Sequence, residues 1–121
     1  MVGVVVVDDH APFRRAATAV LGAMPGFELL GQARSGEQAV ALVASLEPDL
    51  VVMDVRMPGI GGIEATRRIA ATGARTLVLL VSTHRERDLP ADVGRCGAAG
   101  YLHKEDFGRR ALEEIWRARG P

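Results

Sequence analysis

Val4-Val5-Val6-Val7-Asp8-Asp9 opens the chain with a β-branched run that stops abruptly at two acids. A short continuous apolar run has no polar face, so it reads as a strand covered on both sides. Leu50-Val51-Val52-Met53-Asp54 repeats the pattern: a short apolar run, then an acid. Around these two runs the spacing alternates between strand and helix. Phe13, Ala16, Ala17, Val20, Leu21 and Met24 recur at helical intervals, and Pro25-Gly26 ends that helix. Phe27 to Ala33 reads as a strand. Ser35 with Gln38 is a capping-box signature for a helix whose buried stripe is Ala39, Leu42, Val43 and Leu46. Pro48-Asp49 breaks it.

The second half continues in the same way. Met57-Pro58-Gly59-Ile60-Gly61-Gly62 is a loop, and a helix follows to about Thr72. Thr76 to Val81 is a fourth strand ending at Ser82-Thr83. A weak, mobile helix is expected near Pro90 to Cys96, because Pro90 fits only a first turn and Gly94 weakens a helix interior. Gly100 to His103 is a short fifth strand ending at Lys104. Phe107, Ala111, Leu112 and Ile115 mark the last helix, stopped by Gly120-Pro121. Strands alternating with helices imply a parallel sheet covered on both faces, and right-handed crossovers restrict its topology. With 121 residues and no linker, repeat or low-complexity segment, the chain reads as one domain, 1–121.

Composition narrows the function. Acidic and basic residues balance at 15 each, which rules out a strongly basic nucleic-acid-binding surface as the dominant feature. No apolar run approaches the ~20 residues of a membrane span, and no signal peptide is evident at the N-terminus. Cys96 is the sole cysteine, so no internal disulfide and no multi-cysteine metal site can form. A cytoplasmic setting is expected. All basic residues except Lys104 are arginine. Lysine differs from arginine as a compact charge with rotatable donors, so its single use invites a functional reading.

In a parallel sheet every strand ends at one edge, where ligands bind. That rim carries Asp8-Asp9, Asp54-Val55-Arg56, Ser82-Thr83 and Lys104. Arrival at solvent explains any one polar residue there. It explains less well two strands ending in acids and a third in the sole lysine. Packed carboxylates repel, and at least one pKa should rise unless a divalent cation intervenes. Mg²⁺ favours such oxygen ligands. The loop after the first strand offers acids instead of a glycine-rich phosphate cradle, so phosphate would arrive by way of the metal.

Val-Val-Val-Asp-Asp-His at 5–10, Val-Val-Met-Asp-Val-Arg-Met-Pro-Gly at 51–59, Val-Ser-Thr-His at 81–84 and Gly-Tyr-Leu-His-Lys at 100–104 resemble the receiver domain of bacterial two-component response regulators. The resemblance covers essentially the whole chain. The Asp-Asp-His opening and the Lys-Glu-Asp closing look most like the LuxR/NarL-type DNA-binding subgroup. It implies an α/β flavodoxin-like fold: a doubly wound five-stranded parallel sheet, order 2-1-3-4-5. It implies that Asp54 accepts a phosphoryl group from a sensor histidine kinase. Asp8, Asp9, Asp54 and the Arg56 backbone carbonyl would hold Mg²⁺, with Mn²⁺ able to take its place. Lys104 would pair with the phosphoryl oxygens, Ser82 would hydrogen-bond the phosphate, and Tyr101 would change rotamer in response. The resemblance further implies regulated transcription through an attached or partner DNA-binding domain. A downstream helix-turn-helix would contact DNA, this domain contacting none. A phosphorylation-linked homodimer is also expected, as is no enzymatic turnover beyond weak self-dephosphorylation.

Some positions depart from the pattern. Gly61 stands where the family often has Asp, and with Gly59 and Gly62 is expected to loosen the loop after Asp54. Thr83 follows the switch serine where a smaller residue is common, and Glu105 follows Lys104 where many receivers have proline. His10, His84 and His103 read as loop and surface residues, and Cys96 as a half-buried packing residue. Trp116 is expected near an interface or groove, and the arginines at 109, 110, 117 and 119 on a solvated face. Two other classes stand beside the receiver. A phosphatase-like enzyme with an aspartyl nucleophile normally places it on the first strand with an acid two residues later; here Arg56 occupies that position. A pseudo-receiver would act as a phosphorylation-independent interaction module.

Overall fold

Val4 to Val7 are wholly buried, as a strand covered on both faces requires. A computed structural model describes residues 1–119 and places this run at the heart of a five-stranded parallel sheet. The strands are β1 (Val2–Val7), β2 (Phe27–Ala33), β3 (Leu50–Asp54), β4 (Leu77–Ser82) and β5 (Gly100–His103). Their spatial order is β2-β1-β3-β4-β5, the doubly wound order expected.

Alternation along the strands builds two cores. Val5, Val7, Val51, Met53 and Leu80 face one way, against α2 (Gly36–Leu46) and α3 (Gly61–Ala71). Val4, Val6, Leu50, Val52 and Val81 face the other way, against α1 (Ala11–Gly22) and α4 (Arg109–Arg117). Consecutive residues point to opposite faces of a strand, so one short apolar run serves both layers.

The helix boundaries follow local chemistry. Pro12 sits in the first turn of α1, where its missing N–H costs nothing. Ser35 Oγ accepts from Gln38 N at 3.1 Å and caps α2, while Gln38 Oε1 accepts from Arg34 N at 2.7 Å. The return arm of the expected capping box thus reaches one residue further back. The last α-helix begins at Arg109, after a 3₁₀ turn over Lys104–Asp106. Its expected stop at Gly120-Pro121 lies outside the described residues.

The expected helix near Pro90 to Cys96 is absent as an α-helix. The chain forms two 3₁₀ turns instead, Glu86–Asp88 and Ala91–Arg95. Pro90 precedes the second turn with extended ψ, and Gly97 at φ +95° closes the segment. Leu89, Val93 and Cys96 are its buried anchors. The short helix expected to start near Pro90 is thus present, in 3₁₀ form, over Ala91–Arg95. Cys96 is fully buried where half-burial was expected, with Sγ 3.2 Å from the Val93 carbonyl.

Candidate functional site

Three strand ends converge at the carboxyl edge of the sheet. β1 delivers Asp8 and Asp9, β3 delivers Asp54, and the turn after β5 delivers Lys104. Asp8 is 0 % exposed and Asp54 4 %. Lys104 Nζ lies 2.6 Å from Asp8 Oδ2 and 3.7 Å from Asp54 Oδ1. The ammonium thus pairs chiefly with Asp8.

Burial and crowding raise the Asp54 carboxyl from its ordinary 3.8 to about 6. Burial contributes most, then the Asp8 charge; Lys104 opposes them, Asp9 adds to them, and the Arg56 backbone N–H opposes them weakly. The expected rise of a pKa among packed carboxylates falls on Asp54.

One carboxylate oxygen sets up the test for a metal. Asp8 Oδ2 is buried, and its contact with Lys104 is an ion pair without hydrogen-bond geometry. Ligand atoms of Asp8, Asp9, His10 and Asp54 all lie within 4.8 Å of one another. Octahedral Mg²⁺ holds oxygens at about 2.1 Å, so opposite ligands stand about 4.2 Å apart. An oxygen-rich donor set of this span, with a buried carboxylate oxygen whose one partner is the Lys104 ammonium, fits a hard divalent cation.

Neighbouring groups complete the site. A cavity of about 320 Å³ is lined by His10, Asp54, Arg56, Ser82, Thr83, His84 and Lys104. Ser82 is buried, and its Oγ accepts from His84 N at 3.0 Å. Tyr101 stands outside the cavity lining. Its hydroxyl donates to the His84 carbonyl, and burial raises its pKa above the ordinary value of 10.0. A larger cavity, about 680 Å³, opens near Pro48 and Thr76, away from these residues.

Several supports were not legible in the sequence. Phe13 was read only as part of a buried stripe, yet Lys104 Nζ lies 4.7 Å above its ring. Phe107 packs edge-on against Phe13 at 5.2 Å between centroids. Arg14 donates to the Asp8 carbonyl at 2.7 Å. Their positions one turn into α1 and just beyond Lys104 were the available signal. His10, read as a loop residue, lies with Nδ1 3.3 Å from both Asp8 Oδ1 and Asp9 Oδ1.

The glycines after Asp54 have steric causes. Gly61 adopts φ +77°. A Cβ on Gly62 would stand 2.1 Å from the Asp54 carbonyl oxygen. Gly61 is required by its positive φ and Gly62 by the close approach of α3 to the end of β3.

The last helix bears an exposed charged face, as expected. Arg109 pairs with Glu113 at 2.6 Å and Arg110 with Glu114 at 3.1 Å. Trp116 is half-buried, with the Arg119 guanidinium 4.0 Å over its ring. Among the described residues, no helix is long and apolar enough to cross a membrane.

Comparison with known proteins places this geometry. The family model described as "Response regulator receiver domain" matches residues 4–117. The response regulator UvrY of Escherichia coli K12 is 43 % identical over 104 residues, covering 86 % of this chain and 48 % of UvrY. The response regulator GacA of Pseudomonas aeruginosa is 42 % identical over 118 residues, covering 98 % of this chain and 53 % of GacA. The chain therefore spans about half the length of these curated relatives. A two-component response regulator of the LuxR family from Aurantimonas superposes with a TM-score of 0.86 at 29 % identity, over 97 % of this chain and 84 % of that one.

Proposed function

The chain belongs to the response regulator receiver domain family, and from that premise we propose that Asp54 is its phosphoacceptor. The observation that carries this reading is the meeting of Asp8, Asp54 and Lys104 within one buried cluster beside the Ser82-lined cavity.

A carboxylate oxygen of Asp54 attacks the phosphorus of a phosphohistidine on a sensor histidine kinase. The P–O bond forms as the P–N bond breaks, and the electron pair leaves with the imidazole. The product is an acyl phosphate. Such transfer demands alignment and charge neutralisation more than covalent assistance. Lys104 neutralises the phosphoryl oxygens, moving from Asp8 toward Asp54. Ser82 donates its hydroxyl to one of those oxygens. Asp8, Asp9, Asp54 and the Arg56 carbonyl would hold Mg²⁺, or Mn²⁺ in its place. The bound cation supplies charge neutralisation at the carboxylates and the phosphoryl group.

A phosphoryl group adds about −1.5 to −2 charge and three acceptor oxygens. That charge draws Ser82 and Lys104 inward, and Tyr101 changes rotamer as the loop beside it moves. Weak self-dephosphorylation resets the switch. The relatives matched over about half their length support an output function outside residues 1–121. The output is regulated transcription in the cytoplasm, through a helix-turn-helix domain that contacts DNA and with phosphorylation-linked pairing of two copies. The phosphorylation-independent alternative is not favoured, given response regulators above 40 % identity.

Intact mass after incubation with acetyl phosphate tests the reading. The expected result is a Mg²⁺-dependent gain of one phosphoryl group, absent in Asp54→Asn. No gain in folded wild type under any donor overturns it.

A further inference from the structure

His103 closes β5 and immediately precedes Lys104. Its ring is bonded at both nitrogens. Nε2 lies 2.9 Å from the Thr83 carbonyl oxygen, and Nδ1 accepts from Glu105 N at 3.1 Å. A carbonyl can only accept and a backbone N–H can only donate. The ring therefore carries its proton on Nε2 and leaves Nδ1 bare. Through Nδ1 it caps the 3₁₀ turn Lys104–Asp106. Through Nε2 it holds the carbonyl one residue beyond Ser82. Ser82 and His103 are register partners, so the bridge sits where β4 and β5 both end. Tyr101, two residues earlier on the same face of β5, bonds the next carbonyl, that of His84. β5 thus grips two consecutive carbonyls of the loop after β4.

We infer that His103 is a positioning residue, which sets the spacing between Ser82 and Lys104, the two side chains that meet the phosphoryl group. It is not among the residues lining the cavity, and it acts through its neighbours. Without the ring the lysine turn loses its cap and the Thr83 carbonyl loses its donor, so only the backbone pairing of β4 with β5 and the Tyr101 bond join the two strand ends. The role rests on the phosphoacceptor reading above.

The two bonds can be removed separately. An asparagine amide reaches the position of Nδ1 and caps the turn, while a glutamine amide reaches the position of Nε2 and donates to Thr83. His103→Leu keeps bulk and loses both. The experiment measures the rate of Mg²⁺-dependent acetyl phosphate labelling by intact mass, with thermal melts, for wild type, His103→Leu, His103→Asn and His103→Gln. The expected result is an about five- to twenty-fold slower rate in the leucine variant, the loss of one to two hydrogen bonds, with partial recovery in the other two. ¹⁵N spectra of the wild-type ring should show a protonated Nε2 and a bare Nδ1. Glu105 amide exchange should accelerate in the leucine and glutamine variants and not in the asparagine variant. A leucine variant that labels like wild type, rates that merely follow melting temperature, or a ring protonated at Nδ1 overturns the inference. Wild type that never labels overturns the phosphoacceptor reading and this role together, whereas unaffected variants of a labelling wild type overturn His103 alone.

Discussion

Between β1 and β4 the chain returns to the sheet through three full helices, α1, α2 and α3. Between β4 and β5 it returns through two 3₁₀ turns, of three and five residues. The first region buries Asp8 and Asp54 and packs backbone on backbone, as where Gly62 meets Asp54. The second is mostly exposed from Thr83 to Asp88 and is pinned by Leu89, Val93, Cys96 and an Arg67–Asp92 ion pair to α3. The acid cluster therefore sits on densely packed elements, and the connection beside it is held by fewer buried side chains. Local opening free energies differ along a chain for this reason, being lowest where few side chains are buried.

Gly62→Ala should break the stiff region outright. Its Cβ meets the Asp54 carbonyl oxygen at 2.1 Å, and backbone cannot yield as a side-chain tip can. A loss above about 4 kcal/mol is expected in urea unfolding. A variant as stable as wild type would show that the end of β3 is not rigid.

Lys104→Ala should leave the buried Asp8 without its cation. In chelator, the expected cost is about 3 kcal/mol. Labelling by acetyl phosphate should slow about 100-fold, since a charge aimed at the transferred group is lost. Added Mg²⁺ should stabilise this variant more than wild type, which calorimetric melts can compare.

Asp54→Asn should stabilise the domain at neutral pH. The folded pKa of about 6 lies above the ordinary 3.8, so the folded state holds the proton more tightly. The Asp54 contribution to stability is full below about 4 and is lost as pH rises through about 6. Asn mimics the protonated form, so a gain of about 1–3 kcal/mol is expected at pH 7 in chelator. The gain should vanish near pH 4. Melts across that range that run parallel would contradict the charge crowding.

Smaller effects belong to the soft connection. Asp92→Ala removes the exposed partner of Arg67, which lowers the Asp92 pKa through its hydrogen bond. Hydrogen exchange across residues 86–99 should accelerate while the β1 and β3 amides stay protected. Gly94→Ala meets nothing within 4 Å. It should change stability by less than about 1 kcal/mol, with the sign toward stabilisation. A large loss would mean that the turn is packed as tightly as the acid pocket.

β1, β3, β4 and β5 were legible because each is a short, mostly apolar run ended by an acid, a hydroxyl or the lysine, whereas β2 carries Glu28 and Gln32 and ends at Ala33. The crossovers α1 to α3 were legible because their periodicity and stop signals agree. The 3₁₀ form of the connection between β4 and β5 was not, because Leu89, Val93 and Cys96 keep helical spacing while Pro90 and Gly97 interrupt the backbone. Among site residues, Asp8, Asp9, Asp54, Ser82 and Lys104 announce themselves by standing at strand ends. Phe13 and Arg14 lie in α1 and give no such signal, and His103, though it closes β5, stands beside the lysine where a histidine has many uses.

The sequence by itself determined the parallel sheet, its acid-rich edge and the expectation that one carboxyl there would resist ionisation. Alternation of apolar runs and the mutual repulsion of like charges are local or pairwise facts that residue order carries. Only the tertiary structure decided that Asp54 takes the raised pKa, that Lys104 pairs first with Asp8, and that a single imidazole joins the ends of β4 and β5. Those outcomes depend on relative burial and on distances of a few ångströms between elements remote in sequence, which no local pattern encodes.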